Sequence, residues 1–347
     1  MSCDKGGRGL LLVASAGAVW GLIGPFIKEL NALGMGPLQI SLLRMALSFV
    51  VMLAVTCIAR GWRSLALSRR ALCWCLPLGA VCQGAYNAAY AACVADAGVA
   101  VGAVLLNLSP VFTLGFSAIM LGEAVGGRKL AACVVCVAGC TLVASGGSPD
   151  LSAASACGIA WGVVAGALYA LTPVIGKRAM EGADAYAAST YSYLAAAAVL
   201  LPAFAVSGEQ PAISAQALGI STAFALVPTV GAYLLYYRGL ALVDQAGRVP
   251  VFASTETMVA CALGAVLYSE PMGPASVAGV VLVIVSVVLM TGTPDIRTGS
   301  RDSTPTAPKR STGVRTRSPR TTRGPRSWRA TSSATPGSRG KNTAENH

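Results

Sequence analysis

Two ionisable residues stand deep inside long apolar runs, and each restricts the chemistry open to this chain. Glu256, in Ser254-Thr255-Glu256-Thr257, lies ten residues into the run 247–268, and Arg44, in Ser41-Leu42-Leu43-Arg44, lies seven residues into the run 37–59. At ~1.5 Å per helical residue, Arg44 is roughly 10 Å from the end of its helix and Glu256 is close to the centre of its own. A charge at that depth costs at least ~2.5–3.5 kcal/mol on insertion scales, so it is expected to face a cavity or a partner. For Glu256 two roles stand open: substrate or proton coupling, or a structural carboxyl bonded to a neighbouring helix. For Arg44 they are a cavity role, an ion pair, or a long side chain that reaches the interface.

Polar and aromatic residues recur in the other runs. Asn107-Leu108-Ser109-Pro110 interrupts one of them. Pro110 lacks the N–H that would bond the carbonyl of Leu106, and in lipid such a carbonyl must be satisfied by another group or by a cavity. Another run carries Gln83, Tyr86, Asn87 and Tyr90, and a third carries Tyr233, Tyr236 and Tyr237. Tyr86 and Tyr90 are four residues apart and so share a helix face. A cavity walled by such amphipathic rings suits small organic solutes. The competing role is an interfacial aromatic belt, expected for Tyr236 and Tyr237 near the end of their run. Trp20 and Tyr169 lie mid-run, where either core packing or cavity lining fits.

Other chemistries are excluded or lack support. The sole histidine is His347, the last residue, which removes His-based metal sites and His-dependent nucleophilic catalysis from the body of the chain. The 11 cysteines include Cys73-x-Cys75 and Cys133-x-x-Cys136-x-x-x-Cys140, and all but Cys3 lie in apolar runs. They are expected to pack as small apolar residues, without disulfides and without the His or acidic partners that a metal would want. No Gly-Lys phosphate loop is present, so ATP hydrolysis is not expected. No cofactor is expected.

The elements that must position these residues follow from composition. The chain has 54% apolar and only 12% charged residues, about half the charged share of a soluble protein. Ten apolar runs can be drawn: 10–29, 37–59, 71–93, 98–121, 129–145, 157–177, 186–206, 214–238, 247–268 and 275–293. Each is long enough to cross a bilayer, and unpaired backbone is so costly in hydrocarbon that all should be helices. They are numbered helix 1 to helix 10. Only about five apolar residues precede the cleavage-like Ala14-Ser15-Ala16, too few for a signal peptide, so helix 1 is expected to be an uncleaved span.

Charge sets the orientation. With the N-terminus in the cytosol, 12 of the 14 Lys and Arg of residues 1–292 fall in cytosolic loops and flanks. Both termini are then cytosolic, in a plasma or inner membrane. Residues 293–347 hold 12 Lys+Arg against 3 Asp+Glu among Ser, Thr, Pro and Gly. This tail is expected to be disordered and cytosolic, close to anionic lipid, with no nucleic-acid partner.

The two halves repeat. Ala16-Gly-Ala-Val-Trp20 matches Ala165-Gly-Ala-Leu-Tyr169 at an offset of 149, and Lys28 matches Lys177. Ala85-Tyr86 and Tyr90 match Ala232-Tyr233 and Tyr237 at an offset of 147, as Glu123 matches Glu270. Five helices is an odd number, so the second copy must run in the opposite orientation. Inverted repeats are the usual architecture of secondary transporters, with a site near the midplane between the halves.

The order and spacing of these residues resemble the drug/metabolite transporter superfamily in its form with two EamA-type modules. The resemblance spans about 10–293. It rests on Val19-Trp20-Gly21 with Lys28, on Arg44, on Pro110-Val111-Phe112 running to Leu121-Gly122-Glu123, and on Glu256 with Glu270. Two departures stand out: Glu256-Thr257 replaces the usual Glu-Pro, so no proline break is expected there, and Tyr268-Ser269-Glu270 replaces Leu-Gly-Glu. The resemblance implies an all-α membrane protein of ten transmembrane helices in two inverted five-helix repeats, 1–146 and 147–293, followed by the tail 294–347. It implies a carrier, often an exporter of amino acids or related metabolites, rather than an enzyme. The expected substrate or coupling residues are Glu256, Arg44, Asn107, Ser109, Pro110, Tyr86, Asn87, Tyr90, Tyr233 and Trp20. Proton coupling is expected through Glu256. The rival functions are a membrane-embedded enzyme, for which no interfacial cluster of acids, His or Arg is seen, and a channel or structural membrane protein.

Overall fold

In a computed structural model the chain is described over residues 2–145, 155–268 and 273–291. The junction of the two repeats, Glu270 and the C-terminal tail lie outside the described residues. Every expected apolar run is helical over its described residues apart from short breaks, and no strand occurs among the described residues.

Helix 1 is Ser2–Trp20 continued by Ile23–Ala32, helix 2 is Pro37–Arg60, and helix 3 runs without interruption through Arg69–Gly79, Ala80–Ala85 and Tyr86–Ala97. Helix 4 is split into Val99–Leu106 and Ser109–Leu121, and helix 5 is Gly127–Ser145. In the second half, helix 6 is Ala156–Ala170 and Thr172–Met180, and helix 7 is Ala185–Ser207. Helix 8 comprises Ala215–Phe224, Ala225–Gly231 and Ala232–Leu242. Helix 9 is Val249–Ala253 and Thr255–Tyr268, and helix 10 is Pro274–Thr291.

Nine of these helices among the described residues are long and apolar enough to cross a membrane. Helix 3 has the length, but Gln83 and Asn87 lower its hydropathy. Its polar middle therefore needs protein neighbours rather than lipid.

The irregular points repeat with the sequence. Helices 1 and 6 are interrupted near Gly21 and Leu171, and helices 4 and 9 near Asn107 and Ser254. Helices 3 and 8 each contain a wide π-type segment, Ala80–Ala85 and Ala225–Gly231. The break in helix 9 forms without a proline at Thr257; Pro250 sits in the short segment before it and Ser254 lies at the break. The packing repeats too. Helix 1 lies on helices 8 and 9 as helix 6 lies on helices 3 and 4, while helix 2 pairs with helix 7 and helix 5 with helix 10. Two glycines make the matching close approaches. A Cβ on Gly17 would lie 2.4 Å from the carbonyl oxygen of Ala253, and one on Gly166 would lie 2.9 Å from that of Leu105.

One end of the bundle gathers the basic residues. Arg60 meets Asp184 at 3.6 Å, and Arg60 and Arg238 both lie over the ring of Tyr186. Arg128 donates to the carbonyl of Leu289 and Arg248 to that of Met290. Arg178 donates to the carbonyl of Met120 at 3.3 Å. This is the end expected to face the cytosol.

Candidate solute cavity

The breaks in helices 4 and 9 are where the backbone departs from helix, and a cavity of about 350 Å³ lies against both. That is within the usual ~300–1,000 Å³ of small-molecule sites. Nine of the ten residues expected from the sequence line it: Trp20, Arg44, Tyr86, Tyr90, Asn107, Ser109, Pro110, Tyr233 and Glu256. The tenth, Asn87, stands one layer behind. Its Oδ1 accepts from Arg44 Nη2 at 3.2 Å and from Ser41 Oγ at 3.3 Å, and its Nδ2 donates to the carbonyl of Gln83. Asn87 thus fixes one edge of the guanidinium. The other constraint on Arg44 is the ring of Phe224, 5.0 Å from Cζ, a cation–π contact. Among the described residues, Arg44 Nε has no hydrogen-bond partner.

Glu256 lies on the second residue of Thr255–Tyr268, so the helix start after Ser254 lies beside its carboxylate. The carboxylate makes no hydrogen bond, and no ion pair within 4.0 Å, among the described residues. Arg44 and Glu256 therefore face one cavity without joining. Its neighbours on helix 9 are held from behind: Cys136 Sγ and Ser254 Oγ are 2.9 Å apart, Thr255 Oγ1 donates to the carbonyl of Ala14 at 2.7 Å, and Thr257 Oγ1 donates to Cys140 Sγ at 3.5 Å.

The walls between the two charges are aromatic. The Tyr86 ring is 5.1 Å from Tyr169 and 6.2 Å from Tyr90, and the Trp20 ring is 5.0 Å from Tyr233. Tyr236 and Tyr237 do not form an interfacial belt. Both are buried inside the protein, and the Tyr237 hydroxyl accepts from Gln83 Nε2 at 3.0 Å. The reason is helix 8's position: it is packed between helices 1, 2, 6 and 7, so this part of its surface never meets the interface.

Tyr169, for which core packing and cavity lining both stood open, lines the cavity, and so do Ser254, Thr257, Cys140 and Cys261, which were not among the expected site residues. The repeat offers the missing signal for Ser254, which matches Asn107 at 147. A second hollow, of about 450 Å³ between helices 2 and 7, is lined by Leu42, Leu194, Leu201 and similar residues and holds no ionisable group. Its polar lining residue, Gln39, is engaged through both side-chain amide atoms with the backbone of Ala212.

The lining is confined to one part of the bundle. In helix 4 it comes from Ala103 to Pro110, in helix 5 from Cys140 to Ala144, and in helix 9 from Pro250 to Cys261. On helices 4 and 5 these are the portions away from the basic end, whereas on helix 9 the lining starts at Pro250, two residues after Arg248.

Broken helices around a central polar cavity, in two matching five-helix halves, define a multi-pass membrane transporter. The chain belongs to the EamA-like transporter family, whose model matches residues 7–145 and again 156–292. It is 26% identical over 295 residues to the "Uncharacterized transporter YwfM" of Bacillus subtilis (strain 168), covering 84% of this chain and 96% of that one. It is 27% identical over 203 residues to an "Uncharacterized transporter" of Archaeoglobus fulgidus, covering 58% of this chain and 70% of that one. A solved structure described only as "Crystal structure of protein" shares the fold with a TM-score of 0.68 at 17% identity, over 82% of this chain and 96% of that chain.

Proposed function

We propose that this transporter is a secondary carrier of small zwitterionic metabolites, amino acids or close relatives, working as an exporter by alternating access in the plasma or inner membrane. The observation that carries this reading is the separated charge pair: Arg44 and Glu256 face one cavity of about 350 Å³ and form no ion pair with each other. Opposite charges left apart at a helix centre are costly, and a solute with its own carboxylate and ammonium compensates both. The carboxylate meets the guanidinium, whose fork suits it; the ammonium meets Glu256 and the neighbouring tyrosine rings. The aromatic walls take an apolar side chain.

The repeats support alternating access. With five helices each, the halves run in opposite orientations, and exchange of their conformations gives two states of similar energy. Glu256, the sole acid near the midplane among the described residues, couples transport to protons. A proton or other charge crossing the membrane gains ~2.3 kcal/mol per 100 mV, enough to concentrate a solute. The clustering of basic residues at one end supports a cytosolic position for that end.

The test is a resistance and secretion screen. Wild type and Glu256→Gln are expressed at matched membrane levels, challenged with toxic amino-acid and nucleobase analogues, and the medium is assayed for metabolites. Protection or secretion by wild type alone is expected. No change with either protein would remove support for export.

A further inference from the structure

We propose that Glu123 and Lys177 form the latch that closes the basic end of the transporter, and that its release is the step that opens that end to the solute. This rests on the alternating-access reading above.

Glu123 follows helix 4, two residues beyond Leu121. From Pro110, on the cavity, to Leu121 the helix travels about 16 Å at ~1.5 Å per residue. There one carboxylate joins three elements. Oε1 accepts from the amide of Ala246 at 2.6 Å and Oε2 from that of Gly247 at 3.0 Å, both in the lead-in to helix 9. Lys177, at the end of helix 6, reaches Oε1 at 3.4 Å. The same ammonium donates to the carbonyl of Asp244, so it also grips the connection from helix 8. The Glu123 side chain is only 8% exposed. Gly247 permits the approach: a Cβ there would lie 2.8 Å from Ser117 Oγ and 3.4 Å from Glu123 Oε2.

Position gives this cluster its role. It ties the first repeat, through helix 4, to the second, through helix 6 and the start of helix 9. Helices 4, 6 and 9 are all broken helices that line the cavity further along. No path from the cavity to this end can open between helices 4 and 9 while the carboxylate holds the two amides. The bonds are charge-assisted, hence strong, yet few, so the closure is reversible. The sequence repeat assigns the counterpart at the opposite end to Glu270 and Lys28, and Glu270 lies outside the described residues.

The experiment reads conformation and needs no known solute. Full-length wild type, Glu123→Gln and Lys177→Gln are placed in lipid vesicles. Hydrogen exchange is followed at the Ala246–Gly247 amides, together with alkylation of cavity-lining Cys261 by an impermeant maleimide, read peptide by peptide and applied from the side that reaches it in wild type. Glu123→Gln is expected to exchange about tenfold faster or more at the two amides, the size of a lost charge-assisted bond, and to slow Cys261 alkylation several-fold as the open end closes. Lys177→Gln shifts both in the same direction but less, and decides the matter should Glu123→Gln not fold. Faster exchange with unchanged Cys261 reactivity would make Glu123 a helix cap only and overturn the proposal, as would no change in either. Both shifts in a protein that carries no solute would keep the latch and reject the carrier function.

Discussion

Arg44 Nη2 donates to Asn87 Oδ1 at 3.2 Å, so the one cation among the described residues that line the cavity is aimed by a residue that does not itself line it. Asn87→Ala is expected to weaken solute binding about tenfold, the size of one bond to a charged group. Arg44→Lys is expected to lose as much or more, because an ammonium lacks the planar fork. Equilibrium binding to the purified protein measures both. Wild-type affinity in Arg44→Lys would rule out carboxylate recognition at this residue.

Gly17 and Gly166 define the close contacts of the broken helices. Gly17→Leu is expected to destabilise by at least the ~1–3 kcal/mol of an overpacked core, since its Cβ meets the backbone carbonyl of Ala253 at 2.4 Å. Gly24→Leu, with nothing within 4 Å of the added Cβ, is the matched control and should not be destabilised. Thermal unfolding in detergent compares them.

Gln83 and Tyr237 are both fully buried, and Gln83 Nε2 donates to the Tyr237 hydroxyl. Tyr237→Phe leaves that amide short of a partner and should cost ~1–3 kcal/mol. Replacing both residues, Gln83→Leu with Tyr237→Phe, should cost less than the two single changes summed. A double-mutant cycle on stability measures the coupling.

The fold was legible because lipid leaves the backbone little choice. Helix 2 was expected over 37–59 and spans Pro37–Arg60, and helix 7 was expected over 186–206 and spans Ala185–Ser207. The site was legible where a polar residue stood inside an apolar run, as Glu256 and Arg44 do. It was not legible one layer back. Asn87 reads as a cavity residue by type, but only packing shows that it supports Arg44 instead. The break in helix 9 was hidden for a similar reason: a proline announces a break, whereas Ser254 makes one through its contacts with Cys136 and the carbonyl of Pro250. Tyr236 and Tyr237 suit interface and interior equally by composition, and burial among four helices decided it.

Glu256→Gln tests the central claim most directly. Wild type and variant are reconstituted in vesicles loaded with a panel of unlabelled amino acids, and uptake of each labelled counterpart is followed with and without an imposed pH gradient. Wild type is expected to show saturable exchange and gradient-driven accumulation of at least one zwitterionic solute, and Glu256→Gln to lose accumulation and to weaken exchange, since the solute ammonium loses its counter-charge. Equal accumulation by both proteins, or no saturable flux of any zwitterion through wild type, would contradict the proposed function.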